Sequence, residues 1–263
     1  MDDMEKQVQK KTRLASQTIY EIISREGVEE LSRPLSSLAW SGYAAGICIC
    51  FSVLTMAHLH HYLPEEQAWT LLKKMGYVVG FLIVIMGRLQ LFTENTITVI
   101  LPLLDKWSAR NIVRTLKLWG VVFATNMAGT MSVALMILYL QHPEPAYLEA
   151  LTNISKHAVE HSFLDIFLAG IPAGFLIAVL VWMMPSAKGS EFLLVTMMIF
   201  LISLGDYSHV VAGSFEAFFL LLSGASSLGD TVAYITAAGL GNILGGTGVF
   251  TMLAYAQVKD EIR

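Results

Sequence analysis

Apolar residues run along this chain in long blocks. They occupy 36–57, 76–104, 118–140, 163–185, 191–222 and 231–257, and each block reaches the ~20 residues that cross a hydrocarbon core. Six helical crossings are the simplest reading. The second and fifth blocks do not read as plain helices. A continuous helix over 76–104 would extend about 43 Å, against roughly 30 Å of hydrocarbon. Its middle is Gln90-Leu91-Phe92-Thr93-Glu94-Asn95-Thr96, where apolar periodicity stops, and the fifth block is interrupted by Gly205-Asp206-Tyr207-Ser208-His209, with Gly213 beyond. Backbone left unpaired at that depth survives only when enclosed by protein or lining a wet cavity. Both blocks are therefore predicted to be broken helices.

Residues 1–33 are charged and mixed, with Leu14, Ile19, Ile22 and Ile23 near helical spacing. They predict an amphipathic N-terminal helix on the cytoplasmic side, ahead of a six-span domain over 34–258 and a short tail at 259–263. No short apolar core follows the basic start, so a secretory signal is not indicated.

Composition agrees. Hydrophobic residues make up 55% and charged residues 14%, with a mean hydropathy of +0.59. A soluble domain carries about 25% charged residues, so this chain lacks the polar material to coat a globule and reads as an integral membrane protein in a lipid bilayer. Seventeen basic and 21 acidic residues give a net charge of −4, which excludes the basic footprint of a nucleic-acid binder. Cys48 and Cys50 stand at i and i+2, point apart on a helix, and read as small apolar side chains. With the N-terminus inside, thirteen basic residues fall on the cytoplasmic side: Lys6, Lys10, Lys11, Arg13, Arg25, Arg33, Lys106, Arg110, Arg114, Lys117, Lys188, Lys259 and Arg263. Lys73, Lys74 and Lys156 fall outside, and Arg88 falls within the membrane. That asymmetry predicts both termini in the cytoplasm.

The two halves echo each other. Asn126-Met-Ala-Gly129 matches Asn242-Ile-Leu-Gly245 at an offset of 116, and the same offset carries Thr93 in one break onto His209 in the other. Gly42-Tyr-Ala-Ala-Gly46 resembles Gly170-Ile-Pro-Ala-Gly174. Three spans per half is odd, so the second half is expected to be inverted, an architecture that places a midplane site where paired discontinuous helices meet. Gly42, Gly46, Gly170, Gly174, Gly241, Gly245 and Gly246 read first as close-packing positions.

At these residues the chain resembles the formate/nitrite transporter family. The signatures are Leu91-Phe92-Thr93, His209-Val-Val-Ala212 and Gly241-Asn242-Ile-Leu-Gly245-Gly246, and the resemblance runs in order from about residue 25 to 258. Phe92-Thr-Glu-Asn-Thr96 and Gly205-Asp206…His209…Gly213-Ser214…Glu216 are most similar to its YfdC-like inner-membrane branch. The resemblance implies an all-α, aquaporin-like channel fold of two inverted three-helix repeats, a homopentamer, and an independent pore in each protomer of a bacterial inner membrane. It implies a central histidine at His209, a loop threonine at Thr93, an inner constriction of Leu91 with Phe81 and Phe92 beside them, and an outer constriction of Tyr77 with Ile202. Phe81 and Ile202 stand where formate channels typically have Leu and Phe. Departures are present too. The family's usual Asn positions are Gly174 and Gly213, its vestibule lysine falls at Ala158 with Lys156 two residues away, and its usual acidic positions are Gln90 and Ser208. Acid stands instead at Glu94, Asp206 and Glu216.

Arg88, Glu94, Asp206 and Glu216, with Asn95, Asn126 and Asn242, form the polar set in or near the breaks. Mutual pairing, for example of Arg88 with Asp206 or Glu94, is the first expectation, because intramembrane charges find partners; proton relay or cation attraction is the alternative. His58, His60 and His61 lie at the outer end of the first span and read as interfacial residues, without the thiols or converging ligands of a metal site. His142, His157 and His161 bracket the next outer loop. No cofactor motif and no nucleophile–base pair suggests an enzyme. The expected substrate is a small monocarboxylate or inorganic monoanion, carried passively or with a proton. A neutral-solute pore and a non-conducting scaffold stay open.

Overall fold

A computed structural model of the protein describes residues 13–141 and 143–261. Lys6, Lys10, Lys11 and Arg263 of the inner basic set, His142, and the first twelve positions of the expected N-terminal helix lie outside the described residues. The described residues form helices joined by short turns, with no strand among them. In chain order they are α1 (Ser16–Ser32), α2 (Leu35–Tyr62), α3 (Thr70–Met75), α4 (Val78–Met86), α5 (Asn95–Thr98), α6 (Ile100–Asp105) and α7 (Ala109–Met136). Then follow α8 (Pro145–Val159), α9 (Phe163–Met183), α10 (Glu191–Leu204), α11 (Val210–Leu222), α12 (Leu228–Ile243) and α13 (Met252–Val258).

Among the described residues, five stretches are long and apolar enough to cross a membrane: Leu35–Tyr62, Gln67–Met86, Ala109–Gln141, Phe163–Ser186 and Leu228–Val258. The block at 191–222 holds instead two shorter apolar helices, α10 and α11, with helical structure lost between Leu204 and Val210. A second interruption separates Met86 from Asn95. The two interruptions start alike. Leu89 N–H donates to the Val84 carbonyl at 3.0 Å and Arg88 N–H to Ile85 at 3.1 Å; Tyr207 N–H donates to Ile202 at 3.1 Å and Asp206 N–H to Ser203 at 3.3 Å. This is the paired helix-ending pattern that needs a left-handed residue after the last turn. Arg88 and Asp206 occupy it, each with φ of 50°, where glycine is the usual choice.

Two crossings bring backbones close. A Cβ on Gly129 would meet the Cα of Gly46 at 2.8 Å, and one on Gly241 would meet the Cα of Gly170 at 2.9 Å. The pairs α2/α7 and α9/α12 therefore cross where only glycine fits, as the small-residue pattern predicts.

Helix α1 is docked on protein. Ile19, Tyr20 and Ile23 are buried with Ile97, Leu101, Ala178 and Val258. The Tyr20 hydroxyl bonds to Asp105 and to the Leu101 carbonyl, and the Ser24 hydroxyl donates to Asp105 at 3.0 Å. Burial and the Asp105 carboxylate together push the Tyr20 phenol well above its ordinary value. The expected amphipathic helix thus carries a buried polar anchor as well as an apolar face.

Candidate functional site

Two asparagines hold the interruptions open. Asn126 on α7 accepts from Phe92 N–H at 2.9 Å and donates to the carbonyls of Gly42 at 2.8 Å and Gln90 at 2.9 Å. Asn242 on α12 accepts from Val210 N–H at 2.9 Å and donates to the carbonyls of Gly170 and Ser208, both at 2.8 Å. Each is fully buried. The helix breaks free backbone groups at depth, and one amide side chain per break satisfies two of them while its third bond ties the loop to a neighbouring helix, α2 through Gly42 or α9 through Gly170. Asn95 secures the first loop, donating to the Gln90 side chain at 3.0 Å and to the Leu91 carbonyl at 3.2 Å.

Between the loops, His209 Nε2 lies 2.8 Å from Thr93 Oγ1, both side chains buried. His209 is also the N-cap of α11, its Nδ1 accepting from Ala212 N–H at 3.3 Å. That bond occupies the Nδ1 lone pair, so the neutral ring carries its hydrogen on Nε2 and donates it to Thr93. The threonine's own hydroxyl hydrogen has no acceptor among the described residues. Phe81 closes over the imidazole edge-on, ring centroids 4.8 Å apart, and Tyr77 leans on Phe81 at 5.3 Å.

Two cavities approach this pair from opposite sides. Named for the sides that the basic-residue asymmetry predicts, the outer one, of about 300 Å³, reaches His209 itself and is lined by Tyr77, Ile202, Asp206, Glu216 and Tyr234 among others. The inner one, of about 680 Å³, reaches Leu91 and Glu94 and is walled by Glu26 and Glu30 of α1 and by Arg88. Phe81 is fully buried and lines neither, so an apolar plug separates the two spaces beside the His209–Thr93 pair.

Several expected placements need correction. Arg88 and Asp206 do not pair: Arg88 lies at the inner cavity, 3.5 Å from Glu26, while Asp206 lies at the outer one, bonded to Lys74 and 3.7 Å from His157. The two residues follow helix ends of the same type but reach different cavities. Nor is Glu94 within ion-pair distance of Arg88 among the described residues; it lines the inner cavity. Phe92 turns out of the path, its ring edge-on against Trp119 at 5.6 Å and Phe123 at 4.9 Å. Lys156 does not line the outer cavity. On its helix Ile154, His157, Ala158 and, just beyond, His161 do. His58 packs against Tyr147 with ring centroids 4.3 Å apart and the planes tilted by 31°, and burial raises the Tyr147 phenol to about 12.

Tyr234 was not foreseen. A Cβ on Gly213 would collide with the Tyr234 ring and hydroxyl, so the phenol fills the space that a side chain at 213 would take. Gly174 packs against the Asn242 backbone in the same way. A lone tyrosine in an apolar block carries no periodic signal, and only the glycine at 213 hinted that something bulky lay opposite.

A family model described as Formate/nitrite transporter matches residues 17–256. The chain belongs to the formate/nitrite transporter family. It is a multi-pass membrane protein of a family of transporters and channels. It is 36% identical over 247 residues to the inner membrane protein YfdC of Escherichia coli (strain K12), covering 93% of this chain and 79% of that protein. Among solved structures it resembles an FNT family ion channel at TM-score 0.76 and 18% identity, covering 92% of this chain and 98% of that one. It also resembles a pentameric formate channel with formate bound at TM-score 0.73 and 21% identity, covering 86% and 98%. These two likenesses establish the fold.

Proposed function

We propose that the chain is a channel for small monovalent anions of the formate and nitrite kind, which cross the constriction in their protonated form. The observation that carries this reading is the His209–Thr93 pair at 2.8 Å, set beside an apolar plug between two cavities. A bare carboxylate pressed through an apolar constriction meets a barrier of several kcal/mol or more, whereas its neutral acid does not. Desolvation at the plug raises the solute's own pKa until it takes up a proton. The free hydroxyl hydrogen of Thr93 then bonds the solute, and the Nε2–H of His209 supports Thr93 from behind.

Around this centre we infer six spans in two inverted three-helix halves, with 34–258 as the channel domain and the segment before it as an inner-side cap. Both termini face the cytoplasm of a bacterial inner membrane, and the assembly is a homopentamer with one pore per protomer. The paired asparagine clamps and the formate channel's pentameric assembly support this reading. Beyond proton exchange, the protein performs no covalent chemistry in it. Purified protein in lipid vesicles should take up formate faster when an inward pH gradient is imposed, and His209→Asn should lower that uptake at least tenfold. Uptake indifferent to the gradient would sink the reading, as would a monomer or dimer by mass in detergent for its oligomeric part. The carboxyls of Glu94 and Glu216 on the two cavities favour a second reading, a neutral-solute pore; equal vesicle swelling with glycerol and formate would select it.

A further inference from the structure

Glu216 lies on α11 seven residues beyond His209, about two turns or roughly 10 Å along the same helix face. It is 4% exposed, lines the outer cavity, and makes no hydrogen bond or ion pair among the described residues. Tyr77 at the head of α4 and Tyr234 on α12 line the same cavity, and Cys50 on α2 is buried nearby. The other charged or titratable groups on that cavity are His157, His161, Asp165, Asp206, Tyr207 and His209, with Lys74 held on Asp206. The Ser162 hydroxyl donates to Asp165 at 2.6 Å. Glu216 alone of the three cavity carboxyls has no partner.

An unpartnered carboxylate is costly at this depth and repels an approaching monoanion. His209 cannot relieve that conflict by giving up a proton. Its single ring hydrogen is on Nε2, so loss of it would leave an imidazolate, and gaining a second would displace the Ala212 N–H that the ring caps at the start of α11. We propose that Glu216 is the proton-exchanging group of the outer chamber, the residue that converts an entering weak-acid anion into its neutral acid. This rests on the channel reading above. The O–H bond of the Glu216 carboxyl breaks and an O–H bond forms on the anion, giving the neutral acid and a Glu216 carboxylate. A hydronium ion from the outer water restores the carboxyl. The neutral acid moves on past Tyr77 and Phe81 to the His209–Thr93 pair. Outward passage runs the same exchange backwards.

The test is formate uptake by purified full-length protein in lipid vesicles, with external pH varied at fixed total formate. Free formic acid falls tenfold per pH unit. If Glu216 supplies the proton, wild-type initial rates fall less steeply than that, while Glu216→Gln follows the tenfold slope. The two should lie within about twofold of each other at acid pH and at least tenfold apart at the alkaline end. Glu216→Asp, which keeps an exchangeable proton, should keep the shallow slope, and it decides the matter if the glutamine variant does not fold. Parallel wild-type and Glu216→Gln profiles would overturn the assignment while leaving the channel reading intact. Absence of wild-type uptake of formate, nitrite and acetate would overturn both.

Discussion

Truncating Asn242 to alanine tests the frame on which the site hangs. The amide makes three buried hydrogen bonds, to Val210 N–H and to the carbonyls of Gly170 and Ser208, and alanine makes none of them. Polar bonds between helices in membranes average about 0.6 kcal/mol and reach about 1.7 kcal/mol. Three bonds therefore give a loss of about 2–5 kcal/mol. At roughly 2–4 °C per kcal/mol for a chain of this size, the melting point should fall by on the order of 10 °C. The same change at Asn126 should give a similar loss, because its three bonds have the same chemistry. Asn242→Asp keeps the acceptor for Val210 but turns an oxygen toward two carbonyls, and should cost more than alanine. The exposed Asn153 on α8 serves as control. The assay is thermal unfolding of the detergent-solubilised protein, followed by intrinsic fluorescence. Formate uptake should fall alongside, since Val210 adjoins His209. A melting point for Asn242→Ala within about 2 °C of wild type would refute the claim that this amide holds the break.

The other predictions are shorter. Thr93→Val removes the acceptor of the His209 ring and the hydroxyl offered to the solute, so uptake should collapse while Thr93→Ser retains most of it; equal uptake by both would exclude a role for the hydroxyl. Tyr20→Phe removes the bonds to Asp105 and Leu101, worth about 1.5–3 kcal/mol where a charged partner is involved. Trypsin should then cut at Arg25 faster than in wild type, and an unchanged rate would show that α1 does not depend on this anchor. The Lys73 ammonium, 2.9 Å from Glu65, holds the Glu65 carboxyl below its ordinary value. A lowered folded value means the stabilisation is complete above the unfolded value of about 4.3 and fades as pH drops through the folded one. Glu65 is 81% exposed, so screening limits the effect to about 1 kcal/mol. The acid limb of the melting profile should flatten in Glu65→Gln, and an identical limb in both proteins would contradict the pairing. Gly213→Ala should destabilise through collision with Tyr234, and Tyr234→Ala should partly rescue it; additive losses would show that the two do not share space.

The parts of this architecture that could be read from residues are those where chemistry opposes its surroundings. Polar runs inside apolar blocks marked both helix interruptions, because lipid tolerates such runs only at a break. The shared offset related Thr93 to His209, the pair found in contact, and Asn126 to Asn242, whose clamping of the loops it did not reveal. Whatever depended on direction could not be read the same way. Arg88 and Asp206 look like natural partners in the chain, yet each follows a helix end of the same type and the two reach different cavities, Arg88 the inner and Asp206 the outer. Phe92 and Thr93 are neighbours, but a loop without helical periodicity sends one ring to Trp119 and one hydroxyl to His209. Lys156 and His157 are neighbours as well, and a rotation of about 100° per residue on α8 decides which of them faces the cavity. A family pattern marks a position as part of a site, whereas the local helix phase decides whether its side chain arrives there. The same logic explains Glu216. Seven residues from His209 is close to two full turns, so the helix phase that aims the imidazole inward aims the carboxyl to the same side, one level closer to the outer water.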